Sequence, residues 1–294
     1  MSYNYKFKQK RSFFYLTSFE NDENITLVTN KFTKKLIRRC QYEIENLSPT
    51  GFKKSKNYND LYTLWIPNDR INFDILDDFI EWAIACNSCV WVKLNRYTMD
   101  HFEEGVLDFC ICSDWNFNFD GVSGHTEIGN VEYRLKYVGN ISEDDIKIIE
   151  EYLNKCLFCI NGYDDDIDNI LITTIPATVE KQNKPSWKLA EYVADSLNAA
   201  FLTATLFRDK PQMKALSVSD KIKSWRKIYA DNQVELSIDI DSLNGKTVII
   251  VDDLYQSGTS MWCYAEYLKS VGVSHILGIA MVKSLKDSDN QPNH

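Results

Sequence analysis

The sequence predicts an α/β fold in which a parallel sheet flanked by helices follows an N-terminal α+β region of unknown fold. Two observations near the C-terminus carry this prediction. Thr247–Val251 and Ile276–Val282 are apolar throughout, without the alternation of a half-exposed strand, so both faces of these strands should be covered. The segment between them, from Thr259 to Gly272, has the apolar stripe of a helix and the glycine that ends one. A strand, a helix and a strand joined by short connections form a unit with parallel strands.

Elements of the same kind precede this unit. Ile170–Ile175 is a β-branched apolar run that Pro176 ends, and Ser186 is placed to cap the helix that follows. Ala200–Leu206 is predicted to be the next strand, followed by a polar stretch. In the first half, the pattern predicts a strand, a helix and a short strand at Leu61–Ile66, Phe73–Cys86 and Val90–Val92.

The chain of 294 residues is long enough for two ordinary domains. The segment Trp115–Gly124 is rich in Asn, Asp, Phe and Gly, which is typical of a junction. We therefore place a boundary near residue 124. Residues 1–124 form the α+β region, a candidate hood or partner-binding part, and residues 125–294 form the domain with the parallel sheet.

The net charge of −9 gives the chain no general attraction to nucleic-acid backbones or anionic membranes. A basic run at Lys34–Arg39 fits the solvated face of a helix better than a local binding patch. The first residues lack the apolar stretch of a signal peptide, and no apolar run is long enough to span a bilayer. These features predict a cytoplasmic protein without membrane partners, in which the eight cysteines are reduced.

The most informative segment follows the strand Thr247–Val251. Two adjacent carboxylates, Asp252 and Asp253, end the strand, and a short loop with Gly258 leads into the helix. Glycine lets the backbone approach a ligand closely, and the free N–H groups at a helix start attract an anion. Hydroxyl groups add further donors at Ser257, Thr259 and Ser260. A phosphate cradle beside a carboxylate pair that suits a diol or hydrated Mg²⁺ predicts a ribose 5-phosphate site at the carboxyl end of the sheet.

Val251–Ser260 resembles the motif with which type I phosphoribosyltransferases bind phosphoribosyl pyrophosphate (PRPP). That motif is an apolar run, two acidic residues, two or three variable positions and then Thr/Ser-Gly-x-Thr/Ser. Weaker similarities, in the same order along the chain, point to the ComF-like branch of that family and cover about residues 125–285. They are Glu132–Tyr137, Thr174–Pro176, Phe207–Arg208 with Gln212, Leu216 and Ser217, and Asn244–Lys246.

The resemblance implies roles for particular residues. Asp252 and Asp253 would be the catalytic pair that holds the ribose hydroxyls, directly or through Mg²⁺, and that binds the metal itself or through water. The 5-phosphate loop would consist of Gln256, Ser257, Gly258, Thr259 and Ser260. The pyrophosphate loop would use Ala177, Thr178 and Lys181, and the flexible loop would use Arg208 and Lys214.

Two further positions bear on the pyrophosphate. The relatives usually carry Arg, Gly and Asn after the pyrophosphate loop, whereas this chain has Lys184–Trp187. Lys136 is either a further pyrophosphate contact or a solvated surface lysine.

Two functions are compatible with these residues. The first is a Mg²⁺-dependent ComF-like phosphoribosyltransferase, a pentosyltransferase of nucleotide metabolism that moves a phosphoribosyl group to or from a base or nucleotide. The second is a non-catalytic regulator that binds PRPP or a nucleotide and contacts a partner through its N-terminal region. The sequence identifies neither the acceptor nor the oligomeric state, and a homo-oligomer stays open.

The cysteine pairs also leave open whether the chain binds a metal ion. Cys86 and Cys89, with Cys110 and Cys112, approximate a zinc-ribbon spacing, but the second pair is one residue short and Cys86 lies on the apolar face of the predicted helix. Buried free thiols are the commoner case. A third pair, Cys156-x-x-Cys159, lies in an apolar helix-like run and is predicted to belong to the core.

Overall fold

The computed structural model describes most of the chain, namely residues 3–9, 11–56, 58–92, 100–118, 123–139, 141–164, 166–181 (without the side chain at 181), 184–210, 213 and 216–285. The chain forms two compact units. The first comprises residues 1–91 and 154–165, and the second comprises residues 92–153 and 166–294. Residue 124, where the sequence suggested a boundary, lies inside the second unit.

The first unit contains an antiparallel five-stranded sheet in the order β1-β2-β3-β5-β4. Its strands are β1 Tyr5–Lys8, β2 Tyr15–Glu20, β3 Asn24–Asn30, β4 Lys53–Lys54 and β5 Leu61–Pro67. Its helices are α1 Lys31–Cys40, α2 Tyr42–Asn46 and α3 Phe73–Ser88, with a 3₁₀ turn at Asn68–Arg70. The strand and helix predicted in this region are confirmed.

The basic run at Lys34–Arg39 is part of α1. Asn30 caps this helix by accepting a 2.8 Å hydrogen bond from the backbone N–H of Thr33. Leu36 and Ile37 are buried while Lys35 and the two arginines are exposed, so the run is the outer face of an amphipathic helix, as predicted.

The second unit is organised around a parallel sheet with the strand order β6-β7-β13-β12-β8-β9. These strands are β6 Val90–Val92, in which the chain passes from the first unit to the second, β7 Phe109–Trp115, β8 Ile170–Thr174, β9 Ala200–Leu202, β12 Thr247–Tyr255 and β13 His275–Lys283. All pairs from β7 to β9 are parallel. A separate antiparallel pair joins β10 Ala204–Leu206 to β11 Val234–Leu236.

Helices flank this sheet, which confirms the predicted α/β class. They are α4 Glu127–Tyr133, continued by a π-helical turn at Arg134–Val138, α5 Glu143–Ile160, α6 Pro185–Leu197, α7 Val218–Ala230 and α8 Thr259–Ser270. Short 3₁₀ turns lie at Ile167–Asn169, Val179–Lys181 and Ile240–Leu243. Across the described part of the chain, no helix has both the length and the apolar character needed to cross a membrane.

Two expectations about local structure were wrong, and one helix was not predicted. Ser186 does not cap α6, because the helix already begins at Pro185 and Lys184 occupies the capping position. Ala200–Leu206 is two short strands in different sheets rather than one strand. The polar stretch after it contains α7, whose start Ser217 caps by accepting a 3.2 Å bond from the N–H of Asp220.

Candidate functional site

Strand β12 brings the two acidic residues to the carboxyl edge of the parallel sheet. β12 lies between β8 and β13, and its register pairs Val251 with Thr174, the last residue of β8. The strand itself continues to Tyr255, so Asp252 and Asp253 extend past the end of β8, and Asp252 still pairs with Ala280 of β13 on the other side. Ligands of open parallel sheets collect at such an edge.

A cavity of about 270 Å³ opens at this edge. One side, which we call the strand-end wall, is formed by Asp252, Asp253 and Ser260. The other side, which we call the loop wall, is formed by residues 174–177 and 184–187 together with Ala204 and Lys210. The structure therefore brings together the predicted acid pair, Ser260 and the start of the predicted pyrophosphate loop.

The two carboxyl groups of the acid pair are unequal. The backbone N–H of Asp253 donates a 2.9 Å hydrogen bond to Asp252 Oδ1, and the two side chains are also hydrogen-bonded to each other. Burial, reinforced by the neighbouring charge of Asp253, raises the pKa of Asp252 well above its ordinary value of 3.8. Asp252 is thus harder to ionise than an ordinary aspartate.

Lys136 lies against this pair. Its Nζ is 3.0 Å from Asp253 Oδ2 and 2.6 Å from Glu132 Oε1, and its side chain is only 23% exposed. Burial disfavours the ammonium charge, but the two carboxylates outweigh burial and raise the pKa of Lys136 above its ordinary value. Lys136 is therefore a charged member of the site rather than a solvated surface lysine.

The turn from β12 into α8 depends on glycine. Gly258 has φ +74°, and a Cβ placed on it would lie 2.1 Å from the hydroxyl oxygen of Tyr255. That hydroxyl is itself held in place, because Trp262 Nε1 donates a 3.0 Å hydrogen bond to it. The hydroxyl groups of Ser257 and Thr259, on either side of the glycine, are hydrogen-bonded to each other at 3.0 Å. The N–H of Thr259 donates a 3.4 Å hydrogen bond to Ser257 Oγ, and Gly258 at the N-cap has no side chain to cap the N–H groups that follow, so an anion can bind at the start of this twelve-residue helix.

Two residues that sequence reasoning missed support the same loop. Lys283 is buried at the end of β13, and its Nζ donates to the carbonyl oxygens of Gln256 at 3.1 Å and Ser284 at 2.9 Å. Trp225 of α7 donates its Nε1–H to Ser260 Oγ at 3.0 Å. Lys283 pairs with Tyr255 in the β12–β13 register. In the sequence it directly follows the predicted apolar strand Ile276–Val282, and a site residue could have been predicted from that position. Nothing in the sequence singled out Trp225.

The remaining members of the predicted 5-phosphate loop flank the cavity without lining it. Gln256 is exposed, Ser257 and Gly258 are half-buried, and Thr259 is buried. Of the five, Ser260 alone lines the cavity, and all five are described by the structure.

The predicted pyrophosphate loop is tied to its neighbours. The N–H of Ala177 donates to the carbonyl of Ala204 at 3.4 Å, and the Ala177 carbonyl accepts from the N–H of Leu206 at 3.0 Å. Thr178 is buried and donates a 3.5 Å hydrogen bond to Asp209. The amide of Ala177 is thus engaged within the protein.

The cations near the loop wall differ in their position relative to the cavity. Arg208 is exposed and does not line the cavity, whereas Lys210 does line it and lies 4.7 Å from the ring centroid of Trp225. The Lys181 side chain and Lys214 lie outside the described residues.

The cysteine pairs associate differently from the spacing considered in the sequence. In the first unit the Cys86 thiol is hydrogen-bonded to Cys159, and the Cys89 thiol to Cys156 and Cys159. Burial raises the pKa of the Cys86 thiol to about 11. Cys110 and Cys112 are buried on β7 of the second unit. Within the described ranges, no three or more His, Cys, Asp or Glu side chains are arranged to hold a metal ion.

Comparison with known proteins gives similarity at the level of structure alone. No protein-family profile matches the chain, and no curated protein matches it in sequence. A hypoxanthine phosphoribosyltransferase from Staphylococcus aureus is similar over 48% of this chain and 65% of its own, with 16% identity and a TM-score of 0.29. A purine phosphoribosyltransferase from Pyrococcus horikoshii is similar over 50% of this chain and 86% of its own (13% identity, TM-score 0.31). An adenine phosphoribosyltransferase from Thermoanaerobacter pseudethanolicus is similar over 57% and 92% (18% identity, TM-score 0.30).

Proposed function

We propose that this protein is a ComF-like phosphoribosyltransferase that binds PRPP at the carboxyl edge of its parallel sheet and transfers the phosphoribosyl group to or from a base or nucleotide. One observation carries the proposal. Gly258, at the turn from β12 into α8, follows the two carboxyl groups by six and five residues, and the pair lines a cavity of about 270 Å³.

The strand-end wall suits ribose 5-phosphate. The phosphate accepts hydrogen bonds from the N–H groups of the first turn of α8, where the helix dipole favours an anion. The acid pair suits a diol, because the raised pKa of Asp252 favours a carboxyl group that can donate a hydrogen bond, and carboxylate oxygens accept hydrogen bonds. Ribose hydroxyls both donate and accept, so the two carboxyl groups satisfy them without a net repulsion.

The reaction itself is a substitution at the anomeric carbon. The bond from C1 to pyrophosphate oxygen breaks with its electron pair leaving on the pyrophosphate, and an acceptor nitrogen forms the new bond to C1. Positive charge that develops on the ribose is stabilised by the carboxylate of Asp253, and Lys184 and Lys210 on the loop wall offset the charge of the leaving group. Positioning rather than a nucleophilic side chain supplies the rate enhancement.

Mg²⁺ belongs to the proposal as the ion that accompanies PRPP, but direct ligation by the acid pair does not fit the residues. Asp253 is already paired with Lys136 at 3.0 Å, and among the described residues no three His, Cys, Asp or Glu side chains are arranged to hold a metal ion. We therefore assign no step to a metal held directly by Asp252 and Asp253.

Calorimetric titration with PRPP, with and without Mg²⁺, tests the site. We expect saturable binding that the double variant Asp252→Asn/Asp253→Asn weakens at least about tenfold, since each lost charge-assisted hydrogen bond costs roughly 1.5–3 kcal/mol. Asp239→Asn/Asp241→Asn removes two carboxylates from an exposed turn of the same unit and should leave binding unchanged. Equal affinity in all three proteins would refute the site.

Turnover is tested separately, by following PRPP consumption with a panel of bases, amines and nucleotides. A second function, a non-catalytic PRPP or nucleotide regulator, is favoured by the loop wall, where the Ala177 amide already bonds to Ala204. Binding without consumption across the panel would support the regulator and count against the transferase.

A further inference from the structure

An ammonium group lies beside the acid pair. Lys136 Nζ is 3.0 Å from Asp253 Oδ2 and 2.6 Å from Glu132 Oε1, so it bridges two carboxylates from different elements. Glu132 is only 5% exposed, whereas Lys136 and Asp253 are half-buried and Asp253 lines the cavity. Ion pairs between exposed side chains contribute little, but removing one partner of a pair that is largely withdrawn from water leaves a charge without compensation.

The backbone around Lys136 fixes this position. The residue lies in the π-helical turn Arg134–Val138, an insertion type that often occurs at functional sites, and Gly139 with φ +71° ends the turn. On the same turn, Arg134 forms an ion pair with buried Asp145 of α5. The backbone N–H of Ser142 also donates a 3.0 Å bond to Asp145. The turn is thereby anchored on both sides of the lysine.

We propose that Lys136 is the resident cation of the acid pair and replaces a divalent metal there, so that the ribose is bound by Asp252 and Asp253 without a metal ion on either carboxylate. Lys136 is on this view a positioning residue: it acts through Asp253 and need not touch the ligand. The proposal rests on the proposed function for the identity of the ribose ligand. The role of Lys136 as the cation beside Asp253 depends only on the observed ion pairs.

Charge counting explains why a metal and the lysine exclude each other. With Lys136 in place, its single positive charge is shared by Asp253 and Glu132, and the site keeps about one negative charge. Without it, the carboxylates of Glu132 and Asp253 would face each other with no cation between them, and carboxylate oxygens are the ligands that Mg²⁺ and Mn²⁺ prefer. As they stand, the described side chains of Glu132, Asp252 and Asp253 are not arranged around a metal.

Removal of the ammonium should therefore create a metal site. We compare Mn²⁺ binding, by electron paramagnetic resonance of the full-length apoprotein, in the wild type and in Lys136→Met. The variant is expected to bind Mn²⁺ at least about tenfold more tightly, corresponding to about 1.4 kcal/mol or more. Adding Asp253→Asn to the variant should abolish the gain. Lys147→Met, which removes an exposed lysine paired with Asp144 at 3.4 Å, should behave as the wild type.

The ribose ligand gives a second readout. Ribose 5-phosphate has no pyrophosphate to carry a metal, so its affinity for the wild type should be the same in excess EDTA and in excess Mg²⁺. In Lys136→Met the affinity in EDTA should fall about tenfold and recover with Mg²⁺. Lys136→Arg keeps the charge and should keep the metal independence.

Two results would overturn the proposal. One is a Mn²⁺ site in the wild-type apoprotein that Asp253→Asn removes, a measurement that does not require any Lys136 variant to fold. The other is a Lys136→Met protein that folds and binds ribose 5-phosphate as the wild type does in EDTA. If no ribose ligand binds the wild type at all, the proposed function fails, and the Mn²⁺ measurement still decides the role of Lys136.

Discussion

The two walls of the cavity differ in how their residues are held. Groups of the strand-end wall and of the turn beside it have partners of fixed geometry: Asp253 pairs with Lys136, Ser260 accepts from Trp225, and Gly258 fits against Tyr255. The loop wall combines the end of β8 and the turn after it with the first turn of α6, and its Lys184 is exposed. The comparison teaches that the side proposed for ribose 5-phosphate is preorganised by these contacts, whereas the side proposed for pyrophosphate includes a cation that is exposed to solvent.

Two ligands separate the walls experimentally. Under the proposed function, ribose 5-phosphate contacts only the groups of the strand-end wall, and the pyrophosphate of PRPP contacts the loop wall as well. A change in the strand-end wall should therefore weaken both ligands, while a change in the loop wall should weaken PRPP alone.

The largest effect is expected for Gly258→Ala. The new Cβ would lie 2.1 Å from the Tyr255 hydroxyl, at φ +74°, so the turn must move and the free energy of unfolding should fall by roughly 2–4 kcal/mol. Both ligands should lose at least about a hundredfold in affinity, because the amides of α8 are displaced. Thermal unfolding and calorimetry measure the two effects.

Gly245→Ala is the matched control for that change. Gly245 has a similar φ of +82° but nothing within 4 Å of the added Cβ, so only the backbone cost of roughly 1 kcal/mol is expected. Ligand affinity should not change. Equal losses of stability in the two variants would show that the contact with Tyr255 does not set the shape of the loop.

The strand-end wall is also the part of the site that could be predicted from sequence. Its chemistry lies within nine consecutive residues, from Asp252 to Ser260, so local pattern places the carboxylates, the glycine and the helix start together. The supporting contacts of Lys136 and Trp225 join residues 117 and 35 positions apart in the chain. A local sequence pattern does not show contacts between residues that are so far apart in the chain.

The fold divides in the same way. The long apolar strands of the parallel sheet and the helices with clear stripes were predicted, because burial on two faces leaves a signal in composition. The break between β9 and β10 was missed, since the seven residues Ala200–Leu206 are apolar residues and threonines without a turn signal, and only tertiary pairing with β8 and β11 separates the two halves. Helix α7 was missed because its buried positions are spaced among many charged residues.

The next largest effect should distinguish the two aspartates of the strand-end wall. Asp253→Asn and Asp252→Asn should each weaken both ligands about ten- to a hundredfold, since each removes a hydrogen bond from or to a charged group. The two substitutions should differ in their effect on the free energy of unfolding, because folding raises the pKa of Asp252, whereas Asp253 is paired with Lys136. The assignment requires that ribose 5-phosphate and PRPP lose affinity equally. A loss of affinity confined to PRPP would instead place the acid pair beside the pyrophosphate.

The pH dependence of Asp252→Asn follows from the raised pKa of Asp252. A carboxyl group whose pKa is raised by folding stabilises the folded state below its unfolded pKa, and that contribution is lost as pH rises through the folded value. Asparagine is always neutral and keeps the oxygen that accepts from the N–H of Asp253. The free energy of unfolding of the variant should therefore exceed that of the wild type at neutral pH, and the difference should vanish below pH 4. Chemical denaturation at both pH values measures it; an advantage at low pH alone would contradict the burial of Asp252.

A smaller effect is expected for the cations of the loop wall. Lys184→Met and Lys210→Met should each weaken PRPP by about three- to tenfold, as for partly exposed charge pairs, and leave ribose 5-phosphate unchanged. Lys188→Met, an exposed lysine of α6 outside the cavity lining, is the control. The effects on PRPP should diminish with added salt. Equal loss of both ligands would mean that the two walls act as one.

The smallest effect should come from Trp187→Phe on the loop wall. Trp187 donates its Nε1–H to Glu191 at 2.8 Å and meets Phe201 edge to face at 4.7 Å between ring centroids. Phenylalanine keeps the aromatic contact and loses an exposed hydrogen bond, so the free energy of unfolding should fall by about 0.5–1 kcal/mol and PRPP affinity should change by less than about twofold. A large loss of PRPP affinity, with ribose 5-phosphate unaffected, would mean that the loop wall is as preorganised as the strand-end wall. The pyrophosphate side would then depend on the hydrogen bond that fixes the Trp187 ring rather than on mobile cations, and the contrast between the two walls would no longer hold.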